Sequence, residues 1–83
     1  MPSYIVETYV PRGSGAEVTT AERAREAART LAAAGRRIQF LRSTFLPSDE
    51  LCFLVFEAES PAVVSEATAR AAIDFARIVE AVE

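Results

Sequence analysis

The stretch LCFLVFEAESP, residues 51–61, decides the fold that this chain can adopt. Its first six residues are all apolar, so a strand here is apolar on both of its faces rather than on alternate positions. Ser60 then offers a hydroxyl N-cap, and Pro61 suits the first position of a helix. The stretch therefore predicts a strand covered on both faces that passes directly into a helix.

The segments on either side of this stretch extend the pattern to six elements. Runs rich in β-branched and aromatic residues predict four strands, over residues 4–10, 37–45, 51–58 and 77–82. The first helix is expected to start at the capping-box pair Thr19 and Glu22 and to stop at Gly35. The second helix runs from Pro61 to about Ala72.

The resulting order, βαββαβ, is that of the ferredoxin-like fold. We therefore expect a single α+β domain over residues 1–83, with a four-stranded antiparallel sheet. Strands one and three lie in the middle of such a sheet, and both helices pack on one of its faces. The other face is left open.

The apolar character of the third strand has a consequence for that open face. Alternation places Leu51, Phe53 and Val55 on one side and Cys52, Leu54 and Phe56 on the other. In the second strand, the same alternation places Phe40 on one side and Leu41 and Phe45 on the other. Because monomers avoid large exposed apolar patches, we expect a homodimer formed through the open sheet face. The alternative is a monomer with an adhesive face.

Composition excludes several classes of function. The chain contains 12 acidic and 9 basic residues, has no His, and has Arg as its only basic residue type. A net charge of −3 without a basic stripe argues against nucleic acid as a partner. Lysine Schiff-base chemistry, His-based triads and His-ligated metal sites are excluded by the missing residue types. We predict no metal-ligating residues.

Compartment can also be inferred from the sequence. No apolar run is long enough to span a membrane, and the N-terminal residues lack the basic region and cleavage site of a signal peptide. The single cysteine, Cys52, cannot form an internal disulfide, and we interpret it as a small core residue rather than a nucleophile. A cytoplasmic location is expected.

Four polar residues on the predicted strands are candidates for ligand binding. Glu7 and Tyr9 share one face of strand one, Arg42 lies on strand two, and Glu57 ends strand three. A pair between Glu7 and Arg42 could hold an anionic or hydroxylated ligand, or shift the pKa of the carboxylate for acid–base chemistry. It could equally be a structural ion pair that fixes the register of a dimer. No catalytic residue is singled out.

Three segments of the chain resemble a family of small bacterial ferredoxin-like proteins that are described as nickel-binding. They read MPSYIVETYVP, RSTFLPSDELCFLVFEAESPAVV and FARIVEAVE. The third strand of that family carries the motif Cys-Phe-x-x-Phe-Glu-Ala-x-Ser. In this chain it is matched by Cys52, Phe53, Phe56, Glu57, Ala58 and Ser60. The resemblance implies a homodimeric α/β sandwich, and nickel as a possible cofactor on that ground alone.

Three functions remain open at this point. The first is a small dimeric module that binds a small molecule or, weakly, a metal. The second is a cofactor-free enzyme of the monooxygenase, cyclase or isomerase type, with a pocket lined by Glu7, Tyr9 and Arg42. The third is an accessory or assembly protein that acts through its surface.

Overall fold

A computed structural model describes residues 1–82 of the chain and contains the six expected elements in the expected order. The elements are β1 (Ser3–Tyr9), α1 (Ala16–Ala33), β2 (Ile38–Leu46), β3 (Leu51–Ala58), α2 (Pro61–Arg70) and β4 (Arg77–Ala81). No helix in this part of the chain is both long and apolar enough to cross a membrane.

The four strands form one antiparallel sheet in the order β2-β3-β1-β4. The prediction that strands one and three occupy the centre of a ferredoxin-like sheet is confirmed. Both helices pack on the same face, where Val6 of β1 and Leu54 and Phe56 of β3 are fully buried. Cys52 belongs to this core as well and has no exposed surface.

The first helix begins at Ala16, earlier than the capping box predicts. Gly15 occupies the N-cap with a φ of 74°, a left-handed conformation that glycine adopts without steric strain. The hydroxyl of Ser14 accepts a hydrogen bond from the Ala16 amide at 3.1 Å, and so satisfies one free donor of the first turn. Thr19 and Glu22 therefore lie inside the helix and do not cap it.

A β-bulge in β2 changes which of its residues face the helices. Pairing with β3 shifts by one residue between Phe40 and Arg42, so that Leu41 is the extra residue. Phe40 and Phe45 consequently both pack against the core beneath the helices. The prediction from strict alternation, which placed them on opposite faces, was wrong because it assumed a regular strand. Arg42 and Thr44 face the open side of the sheet.

Both helices end with the same backbone arrangement but with different residues at its centre. Gly35 follows α1 with a φ of 93°, and Ala72 follows α2 with a φ of 56°. The hydrogen bonds that close the two ends, 3.0 and 2.9 Å long, run from the amides of Arg36 and Ile73 to the carbonyls of Leu31 and Thr68. This is the Schellman arrangement, which favours glycine at the left-handed position.

Candidate functional site

The sheet surface opposite the helices, called the open face below, carries all four candidate binding residues. Cross-strand pairing assigns its members strand by strand. They include Ile5, Glu7 and Tyr9 of β1, Arg42, Thr44 and Leu46 of β2, Leu51, Phe53, Val55 and Glu57 of β3, and Arg77 and Val79 of β4. Within residues 1–82 no helix covers this surface, so its side chains are available to a ligand or a partner.

The centre of the open face is apolar. Ile5 pairs with Val55 on one side and with Val79 on the other, which gives a continuous row across three strands. Phe53 extends this row along β3 and is only half-buried, as are Ile5 and Val79. Leu46, at the end of β2, is 38% exposed. The face is therefore more apolar than a sheet surface that meets water, which normally alternates with polar residues.

Glu7 forms an ion pair with Arg77, its direct neighbour on β4. The Nε of Arg77 donates to the Glu7 carboxylate, whose side chain is only 14% exposed. The pair between Glu7 and Arg42 that alternation suggested is not formed, because β3 separates the two strands. Arg42 instead sits beside Val55 and has no carboxylate partner among residues 1–82.

The two remaining candidates lie at opposite ends of the open face. Tyr9 closes β1 and is 65% exposed, beside Leu51 of the next strand. Glu57 lies near the far end of β3, where it pairs with Ser3. The fold thus brings the four candidates onto one surface but does not gather them around one point.

Two surface grooves of about 310 and 210 Å³ are formed on other parts of the molecule. Neither is lined by Glu7, Tyr9, Arg42 or Glu57. In the single chain these candidates therefore lie on an open surface.

The buried cysteine is under the electrostatic influence of a carboxylate on α1. Burial raises the pKa of the Cys52 thiol, and the nearby Glu17 carboxylate raises it further. Oε1 of Glu17 is shielded from solvent and lacks a hydrogen-bond partner within the described chain. The thiol is therefore held in its protonated form, which agrees with a core role. The sequence does not reveal this interaction, because the predicted start of α1 at Thr19 leaves Glu17 outside the helix.

Arg77 is the residue of the open face whose contact with a candidate residue the sequence patterns do not reveal. It was assigned to the fourth strand, but nothing in the sequence indicates which strand pairs with Glu7. The register between β1 and β4 supplies that information, since it places Glu7 directly opposite Arg77. The sequence holds one general signal for this pair. It is the presence of a carboxylate on a strand predicted to be central and of a basic residue on the last strand of the βαββαβ order.

The fold and its uncovered sheet define the class of protein, a small ferredoxin-like α+β domain. The chain belongs to the family described as nickel responsive protein SCO4226-like, whose model matches residues 4–81. The crystal structure of SCO4226 from Streptomyces coelicolor A3(2) is similar, with a TM-score of 0.72 and 16% sequence identity. The match covers 95% of this chain and 94% of that one, and at this identity it supports the fold alone. No curated protein matches the chain.

The described residues of this chain do not fit a nickel site. Nickel is bound well by imidazole and thiolate ligands. The chain has no His, and its one thiol is fully buried with a raised pKa. Within residues 1–82, no three His, Cys, Asp or Glu side chains come together as a metal site.

Proposed function

We propose that this protein is a small homodimeric binding protein of the nickel-responsive family, located in the cytoplasm. Two copies pack through their open faces, and a small anionic or hydroxylated molecule binds among the polar residues of those faces. The observation that carries the proposal is the apolar row across the uncovered centre of the sheet. The free, buried thiol of Cys52 agrees with a reducing compartment.

The size of the chain supports the dimer. A domain of this length buries a smaller share of its surface than larger domains do, so its core is thin. Face-to-face packing of two sheets about 10 Å apart adds a second apolar layer at Ile5, Phe53 and Val79. A standard interface of about 800 Å² on each partner would take roughly a sixth of the protomer's 4843 Å² surface.

The distribution of charge supports a ligand site at the edge of that interface. Arg42 has no carboxylate partner among the described residues, so its guanidinium is available to a carboxylate or a hydroxylated ligand. The carboxylate of Glu7 is already paired with Arg77, which fits a structural role in fixing the interface. Tyr9 and Glu57 complete the polar groups at the two ends of the face.

The arrangement of these polar groups favours binding over catalysis. A cofactor-free enzyme needs a closed cavity with convergent polar groups. The Glu7 carboxylate is already in an ion pair with Arg77, and Tyr9 is largely exposed. An accessory role remains compatible with the open face, but no additional feature of the described surface favours it.

The oligomeric state tests the proposal directly. Light scattering behind a sizing column should give the mass of a dimer for the wild-type protein. The variants Phe53→Glu and Leu46→Glu should give monomers, because each places a charge in the apolar interface. Val18→Glu is the matched control, since Val18 is 58% exposed on α1 and lies away from the open face.

Circular dichroism would establish that each variant keeps its fold. A wild-type monomer at high micromolar concentration would refute the dimer. For the ligand site, Arg42→Gln should keep the dimer but weaken the retention of tartrate, a hydroxylated anion without an apolar body, in equilibrium dialysis. A dimer that retains tartrate equally well with and without Arg42 would refute the proposed role of the guanidinium.

A further inference from the structure

The larger groove lies at the edge of the molecule, between α1 and β2, and has no part in the site described above. Its volume is about 310 Å³, at the lower end of the roughly 300–1,000 Å³ found for small-molecule sites. The residues that line it are Arg25, Ala28, Arg29 and Ala32 of α1 and Ile38, Gln39 and Phe40 of β2. It is therefore a cleft between a helix and the edge strand beneath it.

Small side chains on the helix create this space. Ala28 and Ala32 are one helical turn apart on α1 and face β2. Ala28 is almost fully buried, whereas Ala32 remains exposed at the rim. Ile38 and the half-buried Phe40 form the opposite wall. Much of the groove is therefore apolar.

Charge is supplied to this apolar groove by two arginines of α1. Arg29 is bound to Glu26 at 3.0 Å, so its charge is already balanced. Arg25 has no carboxylate partner within residues 1–82. The Cζ of Arg25 lies 5.2 Å from the centroid of the Phe40 ring, close enough for a cation–π interaction that restrains the side chain. One restrained guanidinium is thus available beside an apolar wall.

We propose that this groove binds a small monocarboxylate with a compact apolar body, such as an aryl carboxylate. The carboxylate accepts hydrogen bonds from the guanidinium of Arg25, and the apolar body packs on Ala28, Ala32 and Ile38. A guanidinium fits a carboxylate through two parallel hydrogen bonds, which fixes the orientation of the ligand. Because Arg25 is restrained by Phe40 before the ligand arrives, less side-chain entropy is lost on binding.

The smaller groove shows why the larger one is the better anion site. It lies between the two helices, with Arg23 and Arg70 in its lining. Glu26 also lines it, so that a carboxylate already stands beside these two cations. Arg25 differs from these two cations because it is held against the Phe40 ring, whereas no ion pair or cation–π contact within residues 1–82 restrains Arg23 or Arg70.

Amide NMR titration with phenylacetate tests the proposal, with phenylacetamide as the neutral probe of the same shape. Phenylacetate should produce saturable shifts at residues of α1 and β2 that line the groove, and phenylacetamide should bind more weakly. Arg25→Gln should weaken phenylacetate binding about tenfold, as expected for the loss of a charged hydrogen-bond partner. Arg23→Gln, on the same helix but outside the groove, should leave it unchanged.

A second variant tests whether the ligand occupies the groove, and it leaves the charge of the groove unchanged. Ala32→Leu fills the groove from its exposed rim without removing a cation, and should abolish binding while the protein remains folded. Equal binding of acid and amide, or an unchanged affinity in Arg25→Gln, would overturn the proposal. So would the absence of saturable shifts along α1 and β2. The monomeric variant Phe53→Glu should still bind phenylacetate, because the groove lies outside the open face.

Discussion

Ala72 has a backbone conformation that is unfavourable for any residue with a Cβ atom. It adopts a left-handed φ of 56° at the end of α2, a conformation that alanine reaches at a penalty of about 1 kcal/mol. Ala72→Gly should therefore raise the free energy of unfolding by about 0.5–1 kcal/mol in urea denaturation. Gly35→Ala, at the equivalent position after α1, should lower it by about 1 kcal/mol.

A control distinguishes this effect from a general response to glycine. Ala69 lies on the exposed side of α2, inside the helix rather than after it. Ala69→Gly should lower stability by about 1 kcal/mol, because glycine is a poor helix former. Opposite signs for Ala72→Gly and Ala69→Gly are the expected result. Destabilisation by both would show that the left-handed residue is not strained.

Cys52 should make stability depend on pH in the alkaline range. Its pKa is raised in the folded state by burial and by Glu17, whereas a thiol in the unfolded chain ionises near pH 8.5. Below that pH both states are protonated, and the contribution of the thiol to stability is fully present. As pH rises towards the folded pKa, the unfolded state alone loses its proton, so stability falls.

The comparison that isolates this thiol is with Cys52→Ala, measured by urea denaturation at a series of pH values from about 7 to 10. The wild-type protein should lose stability with increasing pH more steeply than the variant does. All other ionisable groups are the same in both proteins, so the difference between the two profiles reports the thiol. Parallel pH profiles would rule out a raised thiol pKa in the folded state.

Among the strands, β4 is the shortest, and hydrogen bonds from the segment before it help to hold it in place. It is a five-residue edge strand that pairs with β1 alone. The buried hydroxyl of Thr8 donates to the Asp74 carbonyl, and the Ala76 amide donates to the Glu7 carbonyl at 2.7 Å. Together these bonds attach the segment before β4 to β1.

Thr8→Val keeps the shape of the side chain but removes its donor. We expect a loss of about 1 kcal/mol in unfolding free energy, the usual contribution of one hydrogen bond. Amide exchange should accelerate in β4 more than in β2, because the lost bond anchors only the former. Thr30→Val is the control, since Thr30 is exposed on α1 and its replacement should change stability by less than about 0.5 kcal/mol. Uniform acceleration in all strands would contradict a local anchoring role.

The order and type of the elements were predictable from the sequence because each depends on local chemistry. The apolar run of β3 and the Ser60-Pro61 helix start needed no tertiary information, although the Ser60 hydroxyl makes no capping hydrogen bond. The bulge at Leu41 could not be foreseen, since it is a property of how β2 pairs with β3. The partner of Glu7 was missed for a related reason: Arg77 becomes its neighbour only through the register of β1 and β4.

For the candidate site, the sequence identified the surface but not its arrangement. Alternation along each strand placed Glu7 and Tyr9 on one face, as the structure does. Distances across the sheet depend on strand order, and β3 keeps Arg42 away from Glu7. The groove between α1 and β2 was not predicted, because it results from the packing of two small alanines against an edge strand.

At the scale of the whole molecule, the proposed dimer has a thermodynamic signature that a monomer lacks. If two open faces bury each other, folding is coupled to association, and the melting temperature rises with protein concentration. Scanning calorimetry over a hundredfold range of concentration should show this rise for the wild-type protein. The variant Phe53→Glu should melt at one temperature throughout. A concentration-independent wild-type transition would contradict the coupling.

The bulge in β2 also bears on how the molecule avoids uncontrolled polymerisation. β2 is an edge strand, and a long, regular edge offers unpaired backbone groups on which another chain can add a strand. An extra residue at Leu41 interrupts that row of donors and acceptors and increases the local twist. Growth of a continuous intermolecular sheet at this edge is thereby disfavoured. Self-association through the opposite route, face against face, closes after two copies and produces no filament.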